Sequence, residues 1–154
     1  MDGNYLLSDN FKLKEFTKSQ TAMRRGIKNI PTGTHLDNLQ VLCQELLQPV
    51  RKLVRRPVIV TSGYRSKELN NVLRGASNSQ HSKGEAVDFY TTALTSTEIC
   101  QMIIDSGLEF DQLIDEGDWV HLSYTQHSKN RKEVLTADFS GKKVKYHKGL
   151  TRGE

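Results

Sequence analysis

From Thr34 to Val54 apolar residues recur at helical spacing, and this stretch constrains the fold more than any other. Leu36, Leu39, Leu42, Leu46, Val50 and Leu53 fall on one face, the pattern of an amphipathic helix that another layer must cover. Pro49 lies inside the pattern. A proline removes one intrahelical hydrogen bond and crowds the carbonyl four residues back, so a kink or break is expected between Glu45 and Gln48. Arg55-Arg56-Pro57 ends the element.

The covering layer reads as β-structure. Val58 to Thr61 is a short β-branched run, suited to a buried strand. Ala86 to Tyr90 is a second strand. Gln112 to Glu116 and Trp119 to Tyr124 are two more, joined by Gly117-Asp118. Glycine at the first turn position fits a type II′ hairpin. Weaker strands are expected near Val134 and Val144. Shorter helices run from a Ser19 cap to Arg25, from a Ser66 cap to Leu73, and from the capping box Thr95-x-x-Glu98 to Asp105, stopped by Gly107. Asp9 to Phe16 forms a short capped segment whose aromatics dock on the core, Asn29 to Gly33 a turn, and Gly75 to Ser82 a loop. The expected class is α+β, with N-terminal helices packed on a small, mostly antiparallel sheet. The 154 residues suit a single domain.

Charge is unevenly placed. Ser128 to Glu154 holds eight Lys or Arg against three acids, and the rest of the chain fourteen against fifteen. The basic C-terminal segment, 128–154, reads either as a solvated lysine-rich edge or as a surface for an anionic polymer such as cell wall or nucleic acid. Few aromatics accompany it, and no helix-turn-helix or finger spacing is present, so a nucleic-acid partner is not expected. No apolar run spans a bilayer, and the first residues lack the basic and apolar regions of a secretory signal. Synthesis in the cytoplasm is expected, with no membrane partner. Cys43 and Cys100 lie in apolar helical patterns and read as buried free thiols.

The chemistry concentrates in Ser79-Gln80-His81-Ser82-Lys83-Gly84-Glu85-Ala86-Val87-Asp88, which matches S-x-H-x-x-G-x-A-x-D at every fixed position. Trp119-Val120-His121 supplies a second histidine on a strand. His81, Asp88 and His121 together offer two imidazoles and a carboxylate, a set that suits a catalytic zinc ion with one position left open. Gly84 allows a sharp turn, Ala86 shares the face of Asp88 by alternation, and Ser79 can brace the loop. Ser62, Ser66 and Ser79 lack a His–Asp relay, which argues against a serine hydrolase. His35, His127 and His147 have no evident partners and read as surface residues. Tyr64 and Trp119 either wall a cleft or pack the hairpin.

These motifs, together with Ser62-Gly63-Tyr64-Arg65-Ser66 and Phe110-Asp111-Gln112-Leu113-Ile114, resemble the zinc-dependent murein peptidases of the D-alanyl-D-alanine carboxypeptidase family. That family includes phage L-alanyl-D-glutamate endolysins and D-Ala-D-Ala dipeptidases. The similarity covers about residues 10–124 and is greatest with the compact branch found in phages and bacterial genomes. It implies zinc (Zn2+) held by His81, Asp88 and His121. Arg65 would stabilise an oxyanion or hold a substrate carboxylate. The implied substrate is a peptidoglycan stem peptide, cut by a carboxypeptidase or an endolysin-like endopeptidase acting as a monomer on the cell wall after release.

The general base has two candidates. Relatives commonly carry an acidic residue three positions before the last zinc histidine, which here is Asp118. Many show tryptophan directly before that histidine, whereas this chain reads Asp-Trp-Val-His. In a two-residue hairpin Glu116 pairs with Trp119 and Ile114 with His121, which puts Glu116 on the zinc side. Spacing favours Asp118 and strand geometry favours Glu116. The alternative function is a non-catalytic zinc-containing recognition module on the same fold, and an acidic base candidate argues for the enzyme.

Overall fold

The computed structural model describes residues 2–152. Its long helix does not break at Pro49. It runs as α3 (Gly33–Leu42), a π-helical segment (Cys43–Leu47) and α4 (Gln48–Val54). Leu42, Cys43, Leu47 and Gln48 all keep right-handed helical angles. The Gln48 N–H reaches back to the Cys43 carbonyl. A π turn takes in one extra residue, so the groups around the missing Pro49 N–H are re-paired by widening the helix. Of the expected kink or break, no break forms; a π bulge at Cys43–Leu47 takes its place.

Two short strands, β1 (Leu6–Ser8) and β2 (Phe11–Lys12), pair at the start of the chain. They are too short to show alternation in the sequence. Then come α1 (Leu13–Thr17) and α2 (Gln20–Arg25), the latter capped by the Ser19 hydroxyl. Phe11 and Phe16 meet edge to face at 5.9 Å, both almost fully buried.

The main sheet has six strands. They are β3 (Ile59–Ser62), β4 (Ala86–Tyr90), β5 (Gln112–Asp115), β6 (Val120–Ser123), β7 (Glu133–Asp138) and β8 (Lys145–Lys148), in the spatial order β3-β4-β6-β5-β7-β8. All neighbours are antiparallel except β5 and β7. The mixed α+β architecture agrees with the sequence reading. Helix α5 (Lys67–Val72) starts at the Ser66 cap, and α6 (Ser96–Ser106) opens on the Thr95/Glu98 capping box and stops at left-handed Gly107. Gln80–Lys83, expected as loop, forms a 3-10 turn capped by Ser79. Among the described residues no helix is long and apolar enough to cross a membrane.

The two faces of the sheet differ in kind. Val87, Leu122 and Leu113 pair across β4, β6 and β5, as do Phe89 and Val120. This face packs on Leu39, Leu42, Leu46 and Val50 of the long helix and on Ile99 and Ile103 of α6. Asp88, His121 and Ile114 pair on the opposite face, which is left open to a cavity. Cys43 and Cys100 are buried free thiols, and burial raises both above the usual thiol range.

The basic C-terminal segment is built into this sheet through β7 and β8. Arg152 donates to the Asp115 carbonyl at 2.8 Å, to Asp115 Oδ1 at 2.9 Å, and to the Ala137 carbonyl. Asp115 is fully buried. Burial alone would raise its carboxyl. Hydrogen bonds from Ser96, Thr97 and the Gly117 N–H, with the charge of Arg152, outweigh burial and hold it below the usual range. A depressed folded-state pKa contributes stability above the unfolded value of about 3.9 and loses it as pH falls through the folded value. Arg152→Ala should therefore cost about 1–2 kcal/mol at pH 7, since Asp115 keeps its other donors. The melting-temperature deficit should shrink below about pH 4, a trend that thermal melts across pH will read.

Candidate metal centre and cleft

A serine cap, a left-handed glycine and a backbone carbonyl bring His81 into place. Ser79 Oγ accepts from the His81 N–H at 3.2 Å and opens the 3-10 turn. Gly84 closes it with φ of +76°. That angle suits glycine, and close packing excludes a side chain as well. A Cβ there would lie 2.2 Å from the His35 carbonyl oxygen. The ring is then fixed by its Nδ1, 2.8 Å from the Gly63 carbonyl. A carbonyl only accepts, so Nδ1 carries the proton and Nε2 presents its lone pair.

Gly63 is itself pinned. A Cβ on it would meet the Phe16 Cα at 2.6 Å. The Tyr64 N–H donates to the Phe16 carbonyl at 2.7 Å. Buried Asn29 donates to the Tyr64 carbonyl at 2.9 Å and accepts from the Ser66 N–H at 2.7 Å. Asn29 thus braces the loop on both sides of Arg65. The sequence marked it only as part of a turn, and no periodicity could have shown a partner 35 residues away.

His81 Nε2 lies 3.4 Å from Asp88 Oδ2, and His121 Nδ1 lies 2.9 Å from Asp88 Oδ1. One ligand atom from each residue falls within 4.8 Å of the others. Ligand bonds of about 2.0–2.2 Å in a tetrahedral site put donors roughly 3.3 Å apart, so the spacing accepts such an ion. The donor chemistry agrees. Burial lowers the His81 imidazole from its usual value despite the opposing charge of Asp88, the direction that favours the neutral ring a metal ligand needs. With Nδ1 donating to the Gly63 carbonyl, the neutral ring turns its Nε2 lone pair to Asp88 Oδ2 at 3.4 Å, an arrangement that a cation satisfies. Burial would raise Asp88, and the two imidazoles outweigh it and hold the carboxyl well below the usual range. The His81–Gly63 contact is the outer hydrogen bond that orients a ligating imidazole.

These residues open onto a cavity of about 1220 Å³ that Arg65, Ile114, Glu116 and Trp119 also line. Burial lowers the Arg65 guanidinium from its usual value, against the charge of Asp88, and its buried Nε has no hydrogen-bond partner among the described residues. Burial and then the Asp88 charge raise the Glu116 carboxyl. The Glu116 N–H donates to the Trp119 carbonyl at 3.0 Å, the pairing expected for the hairpin. Asp118, which spacing favoured as the base, is exposed and is not among the residues lining the cavity. It sits at the turn, where the chain carries its side chain outward. Glu116 is therefore the base candidate that the geometry brings to the site.

Other readings also change. Tyr64 is buried and does not line the cavity, whereas Trp119 does. His35 and His127 are exposed, as expected, but both line the cleft and have partners: His35 Nδ1 lies 3.4 Å from the Tyr64 hydroxyl and His127 Nε2 2.7 Å from Asn38 Oδ1. His147 stays on the surface, 3.1 Å from Asp138. Arg131 lines the same cavity and grips Asp111 through its N–H, Nε and guanidinium nitrogen.

A family model described as Peptidase M15 matches residues 9–123. No curated protein matches the chain. Gly84→Ala tests the turn that aims His81. A left-handed residue with a side chain costs about 1–3 kcal/mol, and the His35 carbonyl must also move. Calorimetric melting should show at least that loss, with weaker uptake of added zinc than the parent protein.

Proposed function

This chain belongs to the peptidase M15 family, whose members are zinc-dependent peptidases, and from that membership we propose that it hydrolyses peptide bonds in the stem peptides of peptidoglycan. The observation that carries the reading is the His81, Asp88 and His121 cluster, open to a cleft that also holds Glu116 and Arg65. His81 Nε2, a carboxylate oxygen of Asp88 and a ring nitrogen of His121 would hold one zinc ion. Bound there, zinc supplies Lewis-acid polarisation of a carbonyl and lowers the pKa of water toward about 7.

The remaining work falls to the chain. Glu116 takes the proton of the attacking water and passes it to the leaving amine. Arg65 donates to the carbonyl oxygen as charge grows on it. Its unpaired Nε is consistent with an acceptor arriving with the substrate. The substrate is a cell-wall peptide, reached after release from the cell by a chain working as a single copy. Digestion of purified peptidoglycan, with mass analysis of the fragments, reads which bond is cut and separates carboxypeptidase from endopeptidase action.

Two expectations test the assignment. Purified protein should carry one zinc per chain by metal analysis, and His81→Ala should lose it together with peptidoglycan hydrolysis. Equal zinc in both would remove His81 from the ligand set. Glu116→Gln should lose roughly 100- to 10,000-fold in rate with zinc retained, while Asp118→Asn stays within about twofold, as an exposed turn residue should. The reverse result would return the role to Asp118.

A further inference from the structure

Phe139 and Tyr146 belong to the β7–β8 hairpin, beyond the residues that the family model matches, yet both line the cavity. The register of the sheet explains how its outermost strand reaches the centre. Asp88, His121 and Ile114 stand in one row across β4, β6 and β5, and the row continues through Leu135 to Lys148. One position further, Asp115 pairs with Thr136. The next row on the cleft face therefore sets Glu116 level with Ala137, which pairs with Tyr146. Ala137 is fully buried, and its methyl group leaves no tall side chain between Tyr146 and Glu116.

Two further observations place both rings at the site. Burial, and then the charges of Glu116 and Asp88, raise the Tyr146 phenol above its usual value. Tyr146, Glu116 and Asp88 line one cavity, and a phenol hydroxyl can donate a hydrogen bond there. Phe139 stands two residues past Ala137 on the same face. Its Cε2 would lie 3.9 Å from a Cβ on Gly117, the residue after Glu116. Residues Phe139 and Tyr146 are 50% and 52% exposed. A large amphipathic side chain held half open beside a cleft is suited to bind a ligand with its face and its polar tip.

We propose that Tyr146 is a substrate-contacting residue: with Phe139 it forms an aromatic wall beside Glu116 against which the bound stem peptide lies, and its hydroxyl donates a hydrogen bond to an oxygen of that peptide. This assignment rests on the peptidase reading of the cleft and adds a specificity element to it. The C-terminal hairpin is then part of the substrate site, and what the wall admits depends on residues outside the family-matched region.

Trp119 is the single tryptophan of the chain and lines the same cavity, so its fluorescence reports occupancy. Zinc-loaded Glu116→Gln protein would be titrated with soluble stem-peptide fragments of purified peptidoglycan, by Trp119 fluorescence and calorimetry. The same titration would be run with Tyr146→Ala or Tyr146→Phe added. Kd should rise about tenfold for Tyr146→Ala, as for a contact anchor. It should rise about threefold for Tyr146→Phe, which keeps the ring and loses one hydrogen bond. Zinc content and melting temperature should not change. With Glu116 intact, KM should rise by the same factors while kcat stays within about twofold. Equal Kd in all three proteins overturns the proposal, and a loss in Tyr146→Ala with none in Tyr146→Phe overturns the hydroxyl contact. Fragments that bind the parent but are not cut by the wild-type protein overturn the peptidase reading and leave the Tyr146 contact standing. Fragments that do not bind at all overturn both.

Discussion

Asp88 stands directly opposite His121 across the β4–β6 ladder, and the rest of the site depends on that register. Side chains alternate between faces along a strand, so a slip of one residue would send the carboxylate and the imidazole into the core and turn Val87 and Leu122 toward the cleft. The apolar face prevents the slip. Val87, Phe89, Leu113, Val120 and Leu122 are buried against the helices, and each would lose roughly 1.5–3 kcal/mol of burial if exposed. The candidate metal centre is thus registered by hydrophobic residues on the opposite face of the sheet.

His81 lies off the sheet and needs separate support. Its ring is fixed by a backbone carbonyl at Gly63, and that glycine is fixed by the chain of α1 running against it. The N-terminal segment therefore acts on the site without contributing a ligand. Asn29 and the tight turn at Gly84 extend the same principle. Each holds a backbone segment so that one imidazole nitrogen faces Asp88 and the other is tied behind it.

The C-terminal segment completes the sheet on the far side. Its basic residues are divided between two roles. Arg131 and Arg152 are committed to Asp111 and to buried Asp115, whereas Lys145 and Lys148 on β8 are exposed. Arg152 secures the strand end just before Glu116, and Phe139 lies against the turn that follows it. A segment that looks like a solvated tail by composition is, in the fold, one wall of the cleft.

Local residue chemistry was enough to identify the helices with caps, the two-residue hairpin, and the His81, Asp88 and His121 cluster, because each rests on short-range rules of spacing and alternation. The same rules placed Glu116 on the cleft side, where it lines the cavity, while family spacing favoured Asp118, which the turn leaves exposed. Pro49 was visible, but its resolution as a π turn was not, because that depends on how the helix packs along its whole length. Asn29, the buried Asp115–Arg152 pair and the reach of Tyr146 toward Glu116 were decided only by tertiary structure. Each joins segments far apart in the chain, and pairing of β5 with β7 in parallel is what brings the last of them to the cleft. Spacing along a sequence carries no record of which strand lies beside which.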